Sequence, residues 1–230
     1  MKIFSYHRGM NKFNLIFDLD GTLVDSVEGI EHSIHVAVQQ ILGNQKIPDL
    51  RPLIGPPIGC ILKKLFPDLH DLELSRIEEK FREVYDNEGW KLTHLYPGVF
   101  NVLKTLRSSG NSLFVATNKP MYPTLQILNE LNLFPLLESW ACRDSRQPPF
   151  SSKVEVLKNM INVQKLNLST TFYIGDQLED HQAAQACDIL FIGVSYGYGN
   201  LIAEKPHEYP RINNFIDLIP ILEKIRKSYE

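Results

Sequence analysis

The sequence is poor in the features that mark secreted, zinc-binding and membrane proteins. It has only three cysteines, Cys60, Cys142 and Cys187, and none of them belongs to a Cys-x-x-Cys pair. Scattered cysteines of odd number argue against a disulfide framework and a zinc site, and indicate reduced thiols of the kind found in the cytoplasm. No apolar run is long enough to span a membrane, and residues 1–12 lack the apolar stretch of a signal peptide. We therefore expect a cytoplasmic protein that does not enter a membrane.

Charge of one sign is not concentrated in any stretch of the chain. The 230 residues include 24 Lys and Arg and 27 Asp and Glu, which gives a formal net charge of -3, and there is no basic run. Proteins that bind nucleic acid or an anionic membrane surface normally concentrate positive charge, so neither partner is expected. The composition, 43% hydrophobic and 22% charged, is that of a globular protein with one sizeable core and a smaller appended unit.

Short apolar runs alternate with helix-like segments after residue 95, a pattern typical of a parallel sheet covered by helices. The predicted strands are 13–17, 112–116, 139–142, 171–174 and 189–194, and the predicted helices are 99–108, 122–131, 153–162, 178–186 and 214–227. The segment between the first two strands has helical periodicity instead, with Ile30, Ile34 and Val38 at three-and-four spacing. The sequence therefore predicts an α/β fold that carries a helical insertion.

Two carboxylates follow the first predicted strand directly. Asp18 and Asp20 belong to the run Asp-Leu-Asp-Gly-Thr at 18–22, just after the apolar residues 13–17. Open α/β folds bind ligands at the carboxyl ends of their strands, so both acids lie where a ligand is expected. Buried carboxylates are costly unless a cation or a chemical role accounts for them. For this run alone, a plain strand end with two solvated acids is the alternative.

Further polar residues follow later strands or open later helices. Thr117 and Asn118 follow the second strand, where they could donate to a phosphate oxygen, although Thr117 could also cap the next helix. Lys153 opens a helix and could supply a fixed positive charge, although a lone lysine is more often solvated. Asp176 stands at a strand end and Asp180 one helical turn later, so both carboxylates can face one point. The alternative is that these acids only stabilise the start of the helix, since negative charge there is favoured by the helix dipole.

Together these motifs resemble those of the haloacid dehalogenase superfamily of aspartyl-phosphate phosphatases. The run 18–22 is similar to its first motif, Thr117 to its second, Lys153 to its third, and Gly175-Asp176 with Asp180 to its fourth, in the family's order. The runs 95–99 and 194–199 also look like segments of phosphoglycolate phosphatase-like members. The resemblance implies a three-layer Rossmann-like core with a parallel sheet, residues 11–25 and 92–230, and an inserted all-helical cap domain, residues 26–91.

The resemblance also implies the chemistry. Asp18 would be the nucleophile that attacks phosphorus, and Asp20 would protonate the leaving oxygen and then activate water. Thr117 and Lys153 would steady the nucleophile and the transferring oxygens. The backbone N–H groups of two residues would donate to the phosphate: Leu19 and Asn118. Mg²⁺ is the implied cofactor, held by Asp18, by the backbone carbonyl of Asp20 and by Asp176. Asp180 would either bind the ion directly or lie next to its ligands.

In this family the cap closes over the site, excludes water and selects the substrate. The segment 53–59, Leu-Ile-Gly-Pro-Pro-Ile-Gly, is best suited to reach the site, with Gly55 near the substrate, because glycines and prolines hold a rigid loop. A plain turn between helices is the alternative. A cap of this size favours a small phosphorylated metabolite, and phosphoglycolate is the leading candidate by resemblance. The sequence indicates no oligomeric state.

Other activities stay open on this fold. A haloacid dehalogenase lacks the second acid of the first motif, so Asp20 argues against that activity. A β-phosphoglucomutase-like enzyme usually has a cap histidine twelve residues beyond the nucleophile, where this chain has Ile30. A pyrophosphatase would use the same core, and a catalytically idle binding protein is the alternative outside enzymes. One departure concerns Lys153, which follows Pro148 and Pro149, whereas the family often has a proline after the lysine.

Overall fold

An open sheet with helices on both faces forms the core of the molecule. The computed structural model describes residues 12–199 and 208–228. Its strands are β1 (Asn14–Phe17), β2 (Val24–Asp25), β3 (His94–Leu95), β4 (Ser112–Thr117), β5 (Ser139–Cys142), β6 (Thr171–Gly175), β7 (Leu190–Val194) and β8 (Arg211–Ile212). Its helices are α1 (Val27–Leu42), α2 (Ile58–Leu65), α3 (Asp71–Asn87), α4 (Val99–Ser108), α5 (Met121–Glu130), α6 (Lys153–Gln164), α7 (Leu178–Ala186) and α8 (Leu218–Ser228). None of these helices combines the length and the apolar character needed to cross a membrane.

Within the described residues, six strands form the main sheet in the order β5-β4-β1-β6-β7-β8, and every neighbouring pair is parallel. β1 lies inside the sheet, and Leu15, Ile16 and Phe17 are all fully buried, as expected for a strand covered on both faces. The predicted parallel sheet is confirmed. Each of the strands predicted from the sequence agrees with the structure to within one residue at either end.

Alternate residues along the strands pack on opposite faces of the sheet. Leu15 and Phe17 belong to a hydrophobic cluster that includes α4, α5 and α8. Ile16, between them, belongs to the cluster formed with α6 and α7 on the other face. The period of two thus divides the core into two apolar layers, and the predicted three-layer Rossmann-like architecture is confirmed.

The sequence pattern does not predict the three shortest strands. β8 adds to the sheet beside β7, and β2 pairs antiparallel with β3, with Val24 opposite Leu95 and Asp25 opposite His94. Strands of two residues are too short to show alternation, so tertiary contacts determine them. The helix predicted over 214–227 also begins differently, as a 3-10 turn at Phe215–Asp217 that continues into α8.

Helices α1, α2 and α3 pack into a hydrophobic cluster of their own. Its buried residues include Ile34 of α1, Leu62 of α2 and Ile77 of α3. The backbone of α1 closely approaches the 3-10 turn that follows α3, since a Cβ atom on Gly29 would collide with the carbonyl oxygen of Gly89. We propose that these helices are the cap domain predicted over residues 26–91.

Candidate active site

The sheet brings residues from three strand ends to one edge. β1 lies between β4 and β6, and Phe17 pairs with Val115 on one side and with Ile174 on the other. The carboxyl ends of parallel strands lie at the same edge, so residues far apart in sequence meet there. The predicted site residues that end or follow these strands are Asp18, Thr117 and Asp176.

A buried acidic cluster occupies this edge. One carboxylate oxygen from each of Asp18, Asp176 and Asp180 lies within 4.8 Å of the others, and all three side chains are buried. Lys153, the first residue of α6, places its Nζ atom 2.9 Å from Asp18 Oδ2 and 2.5 Å from Asp180 Oδ1. The lysine is 2% exposed, so its ammonium group is a fixed charge inside the acidic cluster.

Burial and mutual repulsion determine the charge of the acidic cluster. Burial raises the pKa of Asp18 to about 8, while Lys153 opposes the rise and the neighbouring acids add to it. Burial also raises the pKa of Asp176 to about 7, and Asp180 adds to that rise. Burial disfavours the charge on Lys153, but Asp18 and Asp180 raise its pKa well above the usual range. One lysine cannot balance three carboxylates, so a further cation would stabilise their ionised form.

The donor atoms of the acidic cluster suit a small, hard cation. Asp18 Oδ1 is buried and accepts no hydrogen bond from the residues that the structure describes. A buried carboxylate oxygen normally has a partner, so this atom has acceptor capacity to spare. Mg²⁺ prefers carboxylate and carbonyl oxygens and commonly uses one or two carboxylates of the protein. The residues present therefore fit a magnesium site.

The segment after β7 fixes the orientation of Asp176. The backbone N–H groups of Tyr198 and Gly199 donate to Asp176 Oδ2 at 2.8 and 3.1 Å, and the side-chain amide of Gln177 donates to it at 3.1 Å. Gly21, in the loop after β1, has a φ of +81°, and a Cβ atom there would collide with the Asp176 carboxylate. The loop can therefore pass this carboxylate only because Gly21 has no side chain.

Asp20 does not join the acidic cluster through its side chain. Its two carboxylate oxygens lie 2.9 and 3.1 Å from Lys119 Nζ, and Ser26 Oγ donates to Oδ1 at 2.6 Å. Lys119 also donates to the hydroxyl of Tyr85, on α3, at 2.7 Å. The side chain of Asp20 is therefore separate from the predicted metal ligands, and the contribution of its backbone carbonyl to a metal site stays a prediction.

The residues after β4 place further polar groups at the same edge. Thr117 is 2% exposed, and its hydroxyl accepts a hydrogen bond from the Lys119 backbone N–H at 3.2 Å. The hydroxyl keeps its own proton for donation, which is compatible with the predicted contact to a phosphate oxygen. The Asn118 amide donates to Glu179 at 3.1 Å, so Glu179, which the motifs leave without a role, supports this segment. The predicted phosphate contacts of the Leu19 and Asn118 backbone N–H groups stay predictions.

A cavity of about 480 Å³ lies between the helical cluster and the sheet edge. Asp20, Asn118 and Lys119 line it on the core side, and the segment 54–61 and α3 line it on the other side. Gly55 is among the lining residues, as expected for the glycine-rich loop. A small ligand in this cavity can therefore contact Asp20 and the helical cluster together.

Gln177 connects the glycine-rich loop to the acidic cluster. Its side-chain amide donates to the carbonyl oxygen of Ile54 at 3.1 Å as well as to Asp176. Gly55 has a φ of +127°, and a Cβ atom there would lie 3.0 Å from the Gln177 side chain. The loop reaches this close because residue 55 is a glycine.

Sequence reasoning misses Lys119 and Tyr85. Lys119 follows Thr117 and Asn118 at the carboxyl end of β4, and this place at the ligand-binding edge is the signal that could have singled it out. A lone lysine in a loop is ordinarily solvated, so the signal is weak. Tyr85 lies on the buried face of α3 with Phe81, and no sequence pattern separates it from a packing residue.

Known proteins resemble this chain along most of its length. The family of haloacid dehalogenase-like hydrolases matches residues 15–194. A 5'-nucleotidase of Pseudomonas aeruginosa is 28% identical over 206 residues, which cover 85% of this chain and 90% of that protein. A phosphoglycolate phosphatase of Psychrobacter arcticus is 29% identical over 230 residues, which cover 96% of this chain and 98% of that protein. The crystal structure of a predicted phosphatase from Clostridium acetobutylicum has a TM-score of 0.79 at 25% identity, and covers 93% of this chain and all of that one. Because the family match includes every motif at the sheet edge, this chain belongs to the haloacid dehalogenase-like hydrolases.

Proposed function

We propose that this hydrolase is a Mg²⁺-dependent phosphatase that cleaves small phosphate monoesters through an aspartyl phosphate on Asp18. The observation that carries the proposal is the position of Asp18. Its Oδ2 atom lies 2.9 Å from Nζ of the buried Lys153, and the carboxylates of Asp176 and Asp180 lie beside it. One oxygen of Asp18 is held by a cation and the other accepts no hydrogen bond from the described residues, an arrangement that suits a nucleophile. Relatives named as phosphatase and nucleotidase support the choice.

The reaction takes two steps. In the first, the Asp18 carboxylate attacks phosphorus, the ester O–P bond breaks, and Asp20 gives a proton to the leaving oxygen. In the second, water attacks the phosphorus of the acyl phosphate while Asp20 takes a proton from the water, and phosphate leaves with the carboxylate restored. Asp20 suits both transfers because its carboxylate lies outside the acidic cluster and lines the cavity.

Groups at this edge of the sheet can balance the negative charge of the phosphoryl group. Mg²⁺ would be held by Asp18, Asp176 and Asp180, with the Asp20 carbonyl as a further ligand. When bound, Mg²⁺ supplies positive charge that offsets the repulsion between a carboxylate nucleophile and a phosphate dianion. Lys153 and the Thr117 hydroxyl, both buried at the same edge, would stabilise the transferring oxygens.

The cavity favours an organic leaving group of small size. Its volume lies in the range of about 300–1,000 Å³ that small-molecule sites have. Apolar residues such as Ile58 and Phe81 line the side away from the sheet, and they offer contacts that pyrophosphate cannot use. Ile30 also lines the cavity whereas His32 and His35 do not, so the histidine expected of a β-phosphoglucomutase-like enzyme has no counterpart there.

Phosphoglycolate is the first substrate to test, and a nucleoside 5'-monophosphate is the second, because relatives carry these activities in their names. We further propose that the enzyme works in the cytoplasm, as its scattered cysteines indicate, and that it acts on metabolites rather than nucleic acid, as its net charge of -3 indicates.

The decisive experiment measures phosphate release from a panel: phosphoglycolate, AMP, glycerol 2-phosphate, pyrophosphate, a phosphoserine peptide and p-nitrophenyl phosphate. Chelation of divalent metal should abolish release, and Mg²⁺ should restore it. Asp18→Asn should release no phosphate and form no acyl phosphate trappable by hydroxylamine, because an amide cannot serve as the nucleophile. Asp188→Asn changes an exposed aspartate in the same way and should retain native activity. Near-native turnover by Asp18→Asn, or full activity after chelation, would show that the proposal is wrong.

A further inference from the structure

Lys119 is a buried cation to which neither the motifs nor the proposed reaction gives a role. It is 8% exposed, and its Nζ atom lies 2.9 Å from Asp20 Oδ1 and 3.1 Å from Oδ2. Removing an ammonium and a carboxylate from water is costly, and the cost is offset only where the pair is close and its remaining donors are satisfied. This pair meets the first condition, because one ammonium contacts both oxygens of the carboxylate.

Tyr85 satisfies the rest of the ammonium group. The Tyr85 hydroxyl accepts a hydrogen bond from Lys119 Nζ at 2.7 Å, and the ammonium lies 4.6 Å from the centre of the tyrosine ring. Tyr85 is 4% exposed and belongs to α3, in the helical cluster that we propose as the cap. Lys119 thus joins a core residue, Asp20, to a cap residue.

These contacts surround the ammonium group of Lys119 with hydrogen-bond acceptors. An ammonium group has three N–H donors, and here Nζ lies within hydrogen-bond distance of three acceptor atoms: both carboxylate oxygens of Asp20 and the Tyr85 hydroxyl. Burial disfavours its charge, but Asp20 and Tyr85 raise the pKa of Lys119 above the usual range, so the group is an ammonium ion. With a carboxylate and a hydroxyl already around its ammonium group, Lys119 is suited to hold Asp20 in place rather than to bind a phosphate oxygen.

We propose that Lys119 is a positioning residue that orients the Asp20 carboxylate for proton transfer, and that Tyr85 makes this orientation depend on contact with α3. This inference rests on the proposed function, in which Asp20 serves as acid and base. General acid catalysis requires the acid within hydrogen-bond reach of the leaving oxygen, so a carboxylate that can rotate away loses efficiency. Ser26 holds only Oδ1, at 2.6 Å, whereas Lys119 holds both oxygens.

The test compares Lys119→Met, which keeps the length of the side chain and removes its charge, with Lys104→Met at an exposed position of α4. kcat and KM are measured with Mg²⁺ for two substrates. One is p-nitrophenyl phosphate, whose leaving group departs as a stable anion, and the other is the alkyl monoester of the panel with the highest kcat/KM, whose alkoxide needs a proton. kcat/KM reports on phosphoryl transfer to Asp18 and not on the later hydrolysis of the acyl phosphate, which both substrates share. General acid catalysis contributes about 10²–10⁴-fold, so Lys119→Met should lower kcat/KM at least about tenfold more for the alkyl ester than for the aryl ester.

A merely structural defect would lower kcat/KM equally for the two esters, and that result would overturn the proposal. Lys104→Met should match the native enzyme with both esters. Lys119→Arg keeps the positive charge and should recover part of the lost activity on the alkyl ester. In single-turnover reactions of the Asp20→Asn variant, adding Lys119→Met should cause much less further loss than it does in the native enzyme. An undiminished loss would show that Lys119 does not act through Asp20.

Tyr85→Phe tests the connection to the cap, because it keeps the ring and removes the hydroxyl. It should lower kcat/KM for the alkyl ester, as Lys119→Met does, but by less. Its effect should vanish in the double variant that carries Lys119→Met and Tyr85→Phe. A Tyr85→Phe effect that persists without Lys119 would overturn the role of Tyr85. Asp18→Asn decides the proposed function separately: activity there refutes the aspartyl phosphate, whereas inactivity with equal losses in Lys119→Met refutes only the role of Lys119.

Discussion

Replacement of Lys153 by methionine separates the structural role of this lysine from its proposed catalytic role. Lys153 is the buried cation shared by Asp18 and Asp180, at 2.9 and 2.5 Å. Methionine has nearly the same length and leaves the carboxylates in place, so the substitution removes charge with little change in packing. Breaking a buried ion pair by removing one partner costs about 3–5 kcal/mol.

The cost should depend on pH, because the acids can take up protons in place of the lost cation. The pKa values of Asp18 and Asp176, about 8 and about 7, mean that protonation relieves much of the repulsion in mildly acid solution. We expect a loss of about 3–5 kcal/mol near pH 8 and a clearly smaller loss near pH 6. A divalent ion would replace part of the missing charge, and Mg²⁺ at about 100 times its Kd would return about 2.7 kcal/mol.

Urea unfolding followed by circular dichroism, in EDTA and in Mg²⁺ at both pH values, measures these free energies. Lys158→Met removes an exposed lysine from the same helix and should change the unfolding free energy by less than about 0.5 kcal/mol. Turnover by Lys153→Met should stay low even where Mg²⁺ restores stability, because in the proposed reaction the lysine also stabilises the transferring oxygens. A loss in EDTA that is below about 1 kcal/mol, or that is the same at both pH values, would refute the reasoning.

Three further predictions concern the site and the proposed cap. The pKa values of Asp18 and Asp176 are raised from 3.8 to about 8 and about 7, so the folded protein keeps protons that the unfolded chain has lost. The unfolding free energy of the metal-free protein should therefore fall as pH rises from about 4 to about 8, and stabilisation by Mg²⁺ should grow over the same range; thermal melts in EDTA and in Mg²⁺ measure both, and a flat profile would contradict the pKa values. Gly21→Ala should cost at least about 1–2 kcal/mol and weaken the Mg²⁺ effect in urea unfolding, because Gly21 has a φ of +81° beside the Asp176 carboxylate. Replacing Pro56 and Pro57 together by glycine should loosen the cavity loop and reduce discrimination among small substrates more than it slows p-nitrophenyl phosphate; an unchanged substrate ranking in the panel would count against this role of the loop.

The core of the fold could be predicted because its strands are continuous apolar runs. β1 is buried on both faces, and such strands read as hydrophobic segments that end where the polar site begins. The change from an apolar run to polar residues also identifies Asp18 and Asp176 as site residues, because they directly follow β1 and β6. β2, β3 and β8 have two residues each, and neither composition nor period distinguishes them from loops.

Residues of the candidate site that contact other side chains rather than follow a motif could not be predicted in the same way. Lys119 contacts Asp20, 99 positions away, and Tyr85, 34 positions away. Nothing local distinguishes it from Lys104, which is exposed on α4. The sequence shows which residue types stand at the sheet edge, but pairing across the edge depends on how α3 packs over the core.

The antiparallel pair of β2 and β3 has a consequence for how the chain folds. Val24 lies opposite Leu95 and Asp25 opposite His94, so the two ends of the helical insertion meet before the chain continues into α4 and β4. Closing an unstructured loop of about 70 residues costs on the order of 4 kcal/mol in chain entropy. Once the three insertion helices have packed together, most of that entropy is already lost. The folded insertion then holds its two ends together, and so brings β1 close to β4 although many residues separate them in sequence. If the helical insertion forms before the sheet, β1 and β4 pair quickly. If the sheet forms first, these strands must come together as the ends of a long, flexible loop.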